Sequence, residues 1–337
     1  MSRYLSDKLT VLYTLLIVMV VYIHSTYLEG AQYASVSFLQ RFIGGGLCRV
    51  ANCLFFCLSG YLFARSIGNI KDVFAKQRKR FRTLIPPYIL WNVIFVLWYV
   101  VLYVTPGVDR WVNSDIIPTI MQQPIGQTLK YLFIGPAAFQ LWFLRDLIVF
   151  VVLTPVLWWI TDRIGVFAIL IALASIFIYP WLVYFWLGII VASMRWNIDN
   201  YSPQFKTFGM ICGVVYIGTS VAIGYGIQLH STLLALPNIC GLAFIWVIYD
   251  VLSKRQIVST KGIWKHICGY SFFIYCFHEP AFNIIKKMPI AFLGDAPATL
   301  TVFYLINPWI MIVVAIIVAR LINKITPKTY KVLTGGR

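Results

Sequence analysis

Long uncharged apolar runs fill most of the chain, and charged residues fall into short breaks between them. A bilayer-crossing helix needs roughly 20 mostly apolar residues. Read on that length scale, the pattern predicts helices over residues 9–28, 47–66, 84–105, 141–161, 165–179, 181–195, 207–228, 231–251, 266–286 and 297–320. The uncharged stretch from Ile164 to Met194 would be ~46 Å long as one helix, too long for a hydrocarbon core of about 30 Å. Tyr179-Pro180 divides it, because proline removes a helix hydrogen bond. The predicted fold class is an all-α polytopic membrane protein, a single domain over residues 1–337 built as a bundle of about ten transmembrane helices. No soluble accessory domain and no period of 20–50 residues is expected. The longest polar break, residues 106–140, mixes turn formers with an amphipathic stretch at Ile125–Phe133 and reads as a cap or re-entrant piece.

Composition agrees: 60% of residues are hydrophobic and 12% charged, against about 25% charged in soluble domains. That excludes a soluble globular protein and a disordered chain. Lys and Arg number 28 against 11 Asp and Glu, a formal charge of +17. On this apolar background the excess points to a membrane surface rather than nucleic acid. With the N-terminus cytoplasmic, 21 of the 28 basic residues fall in inner segments, which predicts both termini inside and accounts for most of the net charge. The basic start and first apolar run resemble a signal peptide, but His24-Ser25-Thr26-Tyr27-Leu28 is no small-residue cleavage site, so a retained helix is expected. The seven cysteines lack CxxC or Cys/His spacing and read as small core hydrophobes, with no metal site. No P-loop or GxGxxG occurs.

Ionisable residues inside spans are costly and are therefore candidates for function. His24 lies ~22 Å along its helix from the inner end, and His278 and Glu279 about 18–20 Å along theirs. Arg145 and Asp146 lie one turn from the outer start of a third helix. An imidazole beside a carboxylate at such depth suits general-base chemistry. Separately, each residue also reads as an interfacial polar group; their common depth is the argument for a site. His230 and His266 sit at predicted helix ends and read as structural. The second constellation is Lys76-Gln77-Arg78-Lys79-Arg80-Phe81-Arg82, five cations in seven residues. It reads either as a topogenic inner loop touching anionic lipid or as a phosphate clamp. Arg82, nearest the membrane, is the residue expected to face a cavity.

Five stretches resemble the integral-membrane acyltransferase family 3. They are Leu12–His24; Phe55-Phe56-Cys57-Leu58-Ser59-Gly60-Tyr61-Leu62-Phe63; the basic run into Ile85-Pro86-Pro87-Tyr88; Leu141-Trp142-Phe143-Leu144-Arg145-Asp146-Leu147; and Tyr270–His278. They keep the family's order and spacing over residues 5 to 325. The resemblance implies a stand-alone membrane domain in the bacterial cytoplasmic membrane. Such proteins move an acyl group, usually acetyl from acetyl-CoA, onto a hydroxyl of a surface polysaccharide or lipid-linked glycan. It implies that His24 is catalytic. It also exposes departures: Tyr13 stands where the family carries Arg or Lys, with Lys8 or Arg145 as possible substitutes, and the family's Arg-x-x-Arg is represented by Lys79 and Arg82, with Arg80 as an alternative.

Together these readings place the phosphates of an acyl-CoA at Arg82 with Lys79, Arg80 or Arg78, and the thioester near His24 as general base. Glu279 or Asp146 would orient His24, and Arg145 or His278 would stabilise the oxyanion. Two other functions remain open at this stage: a glycolipid transporter or flippase, and an inactive scaffold of a polysaccharide-assembly complex.

Overall fold

Helix-start chemistry sets several of the boundaries. The computed structural model describes residues 2–105, 123–135, 138–254 and 262–336, which form helices and turns with no strand among them. α1 (Arg3–Ile23) begins at Ser2, whose hydroxyl accepts from the Leu5 N–H. α2 (Ala34–Gln40) continues through a π-helical stretch, Arg41–Leu47, into α3 (Val50–Ala64). α4 (Ile70–Val104) starts in a capping box in which Asn69 and Asp72 satisfy each other's backbone N–H groups. That cap lies ahead of the basic run, so residues 76–82 are helical rather than the loop expected from charge. After α5 (Ile125–Phe133) come α6 (Trp142–Ile164), α7 (Ala168–Ala174) and α8 (Pro180–Ser193). Gly165, at φ +59°, ends α6, and Pro180 opens α8 as its first residue. The chain closes with α9 (Pro203–Gly224), α10 (Ser231–Lys254), α11 (Ile263–Leu293), α12 (Pro297–Ile325) and α13 (Pro327–Leu333).

Each of the ten predicted segments overlaps a helix. By length and composition, seven helical stretches among the described residues qualify to cross a membrane: Arg3–Ile23, Ala34–Ala64, Ile70–Val104, Phe139–Phe177, Pro203–Gly224, Ser231–Lys254 and Pro297–Ile325. Pro180–Ser193 is apolar but shorter. The protein is thus a multi-pass helical membrane protein. Residues 106–122 of the expected outer cap lie outside the described residues; its amphipathic stretch forms α5.

Helices pack through small residues where no water drives them together. At the crossing of α3 and α8, a Cβ on Gly60 would lie 2.0 Å from the Phe185 carbonyl oxygen, and one on Gly188 2.0 Å from that of Cys57. The two backbones touch, and any side chain there must push them apart. Near the N-terminal end of α1, Lys8, 1% exposed, pairs with Asp250 of α10 at 2.8 Å and donates to the Trp246 carbonyl at 2.9 Å. The Tyr4 and Tyr201 hydroxyls also donate to Asp250. The charge of Lys8 is thereby neutralised locally.

Two internal prolines are accommodated by neighbouring side chains. Pro155 in α6 deprives the Val151 carbonyl of its helical donor, and the Gln77 amide on α4 donates to it at 2.9 Å. Pro308 in α12 does the same to Tyr304, whose carbonyl accepts from Ser25 Oγ at 2.9 Å.

Replacing Gly188 by alanine should lower stability by on the order of 3 kcal/mol through overpacking. Gly218→Ala, on a helix face with nothing within 4 Å of the added carbon, should be neutral or slightly stabilising. Thermal unfolding of both purified variants in detergent makes the comparison.

Candidate active site

The site is built on a break in α11. Glu279 leaves helical geometry (φ −104°, ψ 141°), as a residue preceding proline tends to, and Pro280 has no N–H to offer the Cys276 carbonyl. Gln140, in the turn before α6, supplies the missing donor: its Nε2 lies 3.1 Å from the Cys276 oxygen and 3.1 Å from that of Glu279. The Tyr275 hydroxyl donates to the Gln140 carbonyl at 2.6 Å and accepts from the Leu144 N–H at 3.2 Å. This lattice fixes His278 and Glu279 at the break.

His24 caps the C-terminus of α1, and its ring centroid is 4.9 Å from that of His278 and 5.2 Å from Phe139. His278 is fully buried. Its Nδ1 lies 2.8 Å from the Tyr275 carbonyl, so Nδ1 carries the proton and Nε2 presents a lone pair. That Nε2 has no hydrogen-bond partner among the described residues. Lys286, one helical turn or more beyond the break, donates to the His24 carbonyl at 2.9 Å. Glu279 is buried, and its Oε2 accepts from Asn283 at 2.9 Å.

The common depth expected from sequence therefore brings His24, His278 and Glu279 together. Arg145 and Asp146 form a separate group. The Arg145 guanidinium contacts Asp146 Oδ1 at 2.7 and 2.8 Å and donates to the Ile134 carbonyl at 2.6 Å, while the Tyr179 hydroxyl donates to Asp146. Among the described residues neither Glu279 nor Asp146 hydrogen-bonds His24. With its Nδ1–H held by a backbone carbonyl, neutral His278 offers an acceptor rather than an oxyanion donor. Lys286 is the cation that reaches His24, and it was legible in sequence only as an outer charge.

A cavity of about 220 Å³ runs beneath the imidazole pair, lined by Tyr13, Val20, Ser59, Arg80, Phe143 and Tyr275 among others. Val20 lies one turn before His24, and Tyr275 one turn before His278, so the cavity ends below both rings. Arg80 of α4 also lines it. Arg78, Lys79 and Arg82 are exposed. Two residues along a helix is a rotation of roughly 200°, which turns Arg82 away when Arg80 faces inward. Lys76 donates to the Phe63 carbonyl at 2.6 Å, capping the end of α3. Arg80 shares its cavity with Tyr13, whereas Lys8 and Arg145, the substitutes expected for a cation at position 13, are paired elsewhere. The groups missed from sequence are Gln140, Asn283 and Lys286; the Glu279-Pro280 dipeptide is the signal that marks their meeting point.

Fold and site define a multi-pass helical membrane protein with an imidazole pair one turn beyond a cavity that Arg80 helps to line. Residues 8–322 match the family described as an acyltransferase domain, and the chain belongs to that family of membrane acyltransferases. It is similar to the succinoglycan biosynthesis protein ExoH of Rhizobium meliloti (strain 1021), with 24% identity over 361 aligned positions covering 100% of this chain and 94% of that protein. No solved structure gives a significant match.

Gln140→Leu should cost about 1–3 kcal/mol by removing the two hydrogen bonds that its amide donates at the break, whereas Gln140→Glu, which also lacks the amide, should do no better. Chemical denaturation followed by helix content checks both.

Proposed function

We propose that this protein transfers an acyl group, acetyl by preference, from acyl-CoA to a hydroxyl of a cell-surface polysaccharide or its lipid-linked precursor. It would act in the bacterial inner membrane with both termini cytoplasmic. The observation that carries this reading is the cavity that Arg80 lines together with Val20 and Tyr275, one turn before His24 and His278. The family supports acyl transfer, the relative's part in succinoglycan biosynthesis supports a polysaccharide acceptor, and the inner excess of Lys and Arg supports the orientation.

In this reading the donor's phosphates meet Arg80 first, with exposed Arg78, Lys79 and Arg82 raising local anion concentration. The acyl arm threads the cavity, between Ser59 and Phe143, to the thioester position below His24. An acceptor hydroxyl approaching from the opposite side gives its proton to His24 as the oxygen attacks the thioester carbon. The tetrahedral intermediate's negative charge faces the Lys286 ammonium. Collapse breaks the C–S bond, and the departing thiolate takes the proton back from His24. The His278 ring, 4.9 Å from that of His24, orients the neighbouring imidazole by contact, the role expected from sequence for Glu279 or Asp146.

Purified protein in lipid nanodiscs, given labelled acetyl-CoA and a lipid-linked glycan, should transfer label to the glycan, and His24→Ala should abolish that transfer. Label transfer that survives the substitution overturns the assignment of the base. Loss of one charge-assisted hydrogen bond in Arg80→Gln should raise the donor KM about tenfold with kcat little changed. Arg82→Gln should change it much less. Equal effects at both positions would make the basic run a diffuse surface field rather than a cavity mouth.

A further inference from the structure

A second cavity, about 510 Å³ and widely open, lies among α11, α12 and α13, lined by Gly262, Lys265, His266, Gly269, Tyr270, Asn323 and Tyr330. It is separate from the cavity under His24. On α11, residues 266, 270 and 273 share one face while 271, 275 and 278 lie on the opposite one. Thr14, midway along α1, donates to the Trp264 carbonyl at 2.6 Å, so this cavity, at the start of α11, lies toward the N-terminal side of α1 from the imidazole pair.

Its chemistry is that of an anion site. Lys265 brings an ammonium. Arg320 donates from Nη2 to His266 Nε2 at 2.6 Å, which makes His266 the acceptor and leaves its Nδ1–H as a donor. Tyr270 and Tyr330 add hydroxyls and Asn323 an amide, and no carboxylate is among the lining residues. Tyr330 is held in place by a stacked contact with Phe273 at 5.9 Å, and its helix is tied to α4 through a 3.0 Å hydrogen bond from Trp91 Nε1 to the Leu333 carbonyl.

The surroundings say what carries the anion. Val302, Ile306, Val313, Ile317 and Leu321 of α12 are all large, apolar and exposed, and their spacing of four and seven makes them one stripe. Arg320 and Lys324 stand at its end on the same face. A soluble phosphate has no use for that stripe, whereas a phospholipid has both halves. Basic pockets at the ends of membrane helices bind lipid headgroups on this principle.

We propose that this cavity holds the phosphate headgroup of an anionic phospholipid, between Lys265, His266, Arg320 and the two tyrosines, with its acyl chains along the exposed stripe of α12. The lipid bridges α11, α12 and α13 on the side of the bundle away from the candidate active site. Position 266, which reads as structural from sequence, becomes a headgroup ligand.

The test uses the whole protein in detergent with phosphatidylglycerol or phosphatidylcholine added, with retained lipid counted by native mass spectrometry and thermal stability measured in parallel. The wild type should retain one phosphatidylglycerol in preference to phosphatidylcholine and unfold at a higher temperature with it. Lys265→Gln combined with Arg320→Gln should weaken that retention at least tenfold and remove the thermal gain, whereas Lys206→Gln, an exposed cation elsewhere, should leave both intact. Lys265 is itself exposed, so Lys265→Gln alone gives a partial loss in a chain whose folding it does not disturb. Equal retention by wild type and double variant overturns the proposal, as does equal retention of the two lipids. Displacement of the lipid by millimolar inorganic phosphate would also overturn it, by showing a site for a soluble anion.

Discussion

In hydrocarbon no water is available to complete a backbone hydrogen bond, so every carbonyl that a proline strips of its donor must find another. This protein meets that demand three times in one way. Gln77 reaches Val151, Ser25 reaches Tyr304 and Gln140 reaches Cys276, each from a neighbouring element and each four residues before a proline. The bonds do more than satisfy polar atoms. They set which helix lies beside which and at what height, and the third fixes the break that presents His278 and Glu279. The imidazole pair depends on a proline two residues away and on an amide from another segment.

Charge is arranged around the same frame. Lys8 with Asp250, and Arg145 with Asp146, are closed pairs whose carboxylates also accept from tyrosines; they hold helices together and have little left to offer a substrate. The groups around His24 are different. Lys286 donates to a backbone carbonyl rather than to a carboxylate, and His278 keeps an unpartnered nitrogen in a fully buried ring. A buried polar atom without a partner is uncommon, and its position beside a second imidazole marks where chemistry is concentrated. Arg80 in the cavity wall is a third group without an acid among its hydrogen-bonding partners in the described residues.

Much of this was legible in sequence because it follows from local rules. Uncharged runs located the helices, Tyr179-Pro180 marked a true boundary, and helix rise alone placed His24 near His278. Helix rise did not say which way a side chain turns. Arg82 was favoured because it stands nearest the apolar run, but the cap at Asn69 carries the helix through the whole basic stretch and directs Arg80 inward. Depth likewise grouped Arg145 and Asp146 with the histidines, although rotation about α6 turns them toward Tyr179. Gln140 and Lys286 carried no local signal, since their importance comes from long-range contacts with Cys276 and His24.

The turn before α6 has one more property. Phe139 packs against the His24 ring while the next residue, Gln140, clamps the two carbonyls at the break in α11. Two adjacent side chains of one short turn thus grip both helices that carry the histidines. The turn is therefore a single clamp on the pair, and a substitution at either position would be felt at both imidazoles together.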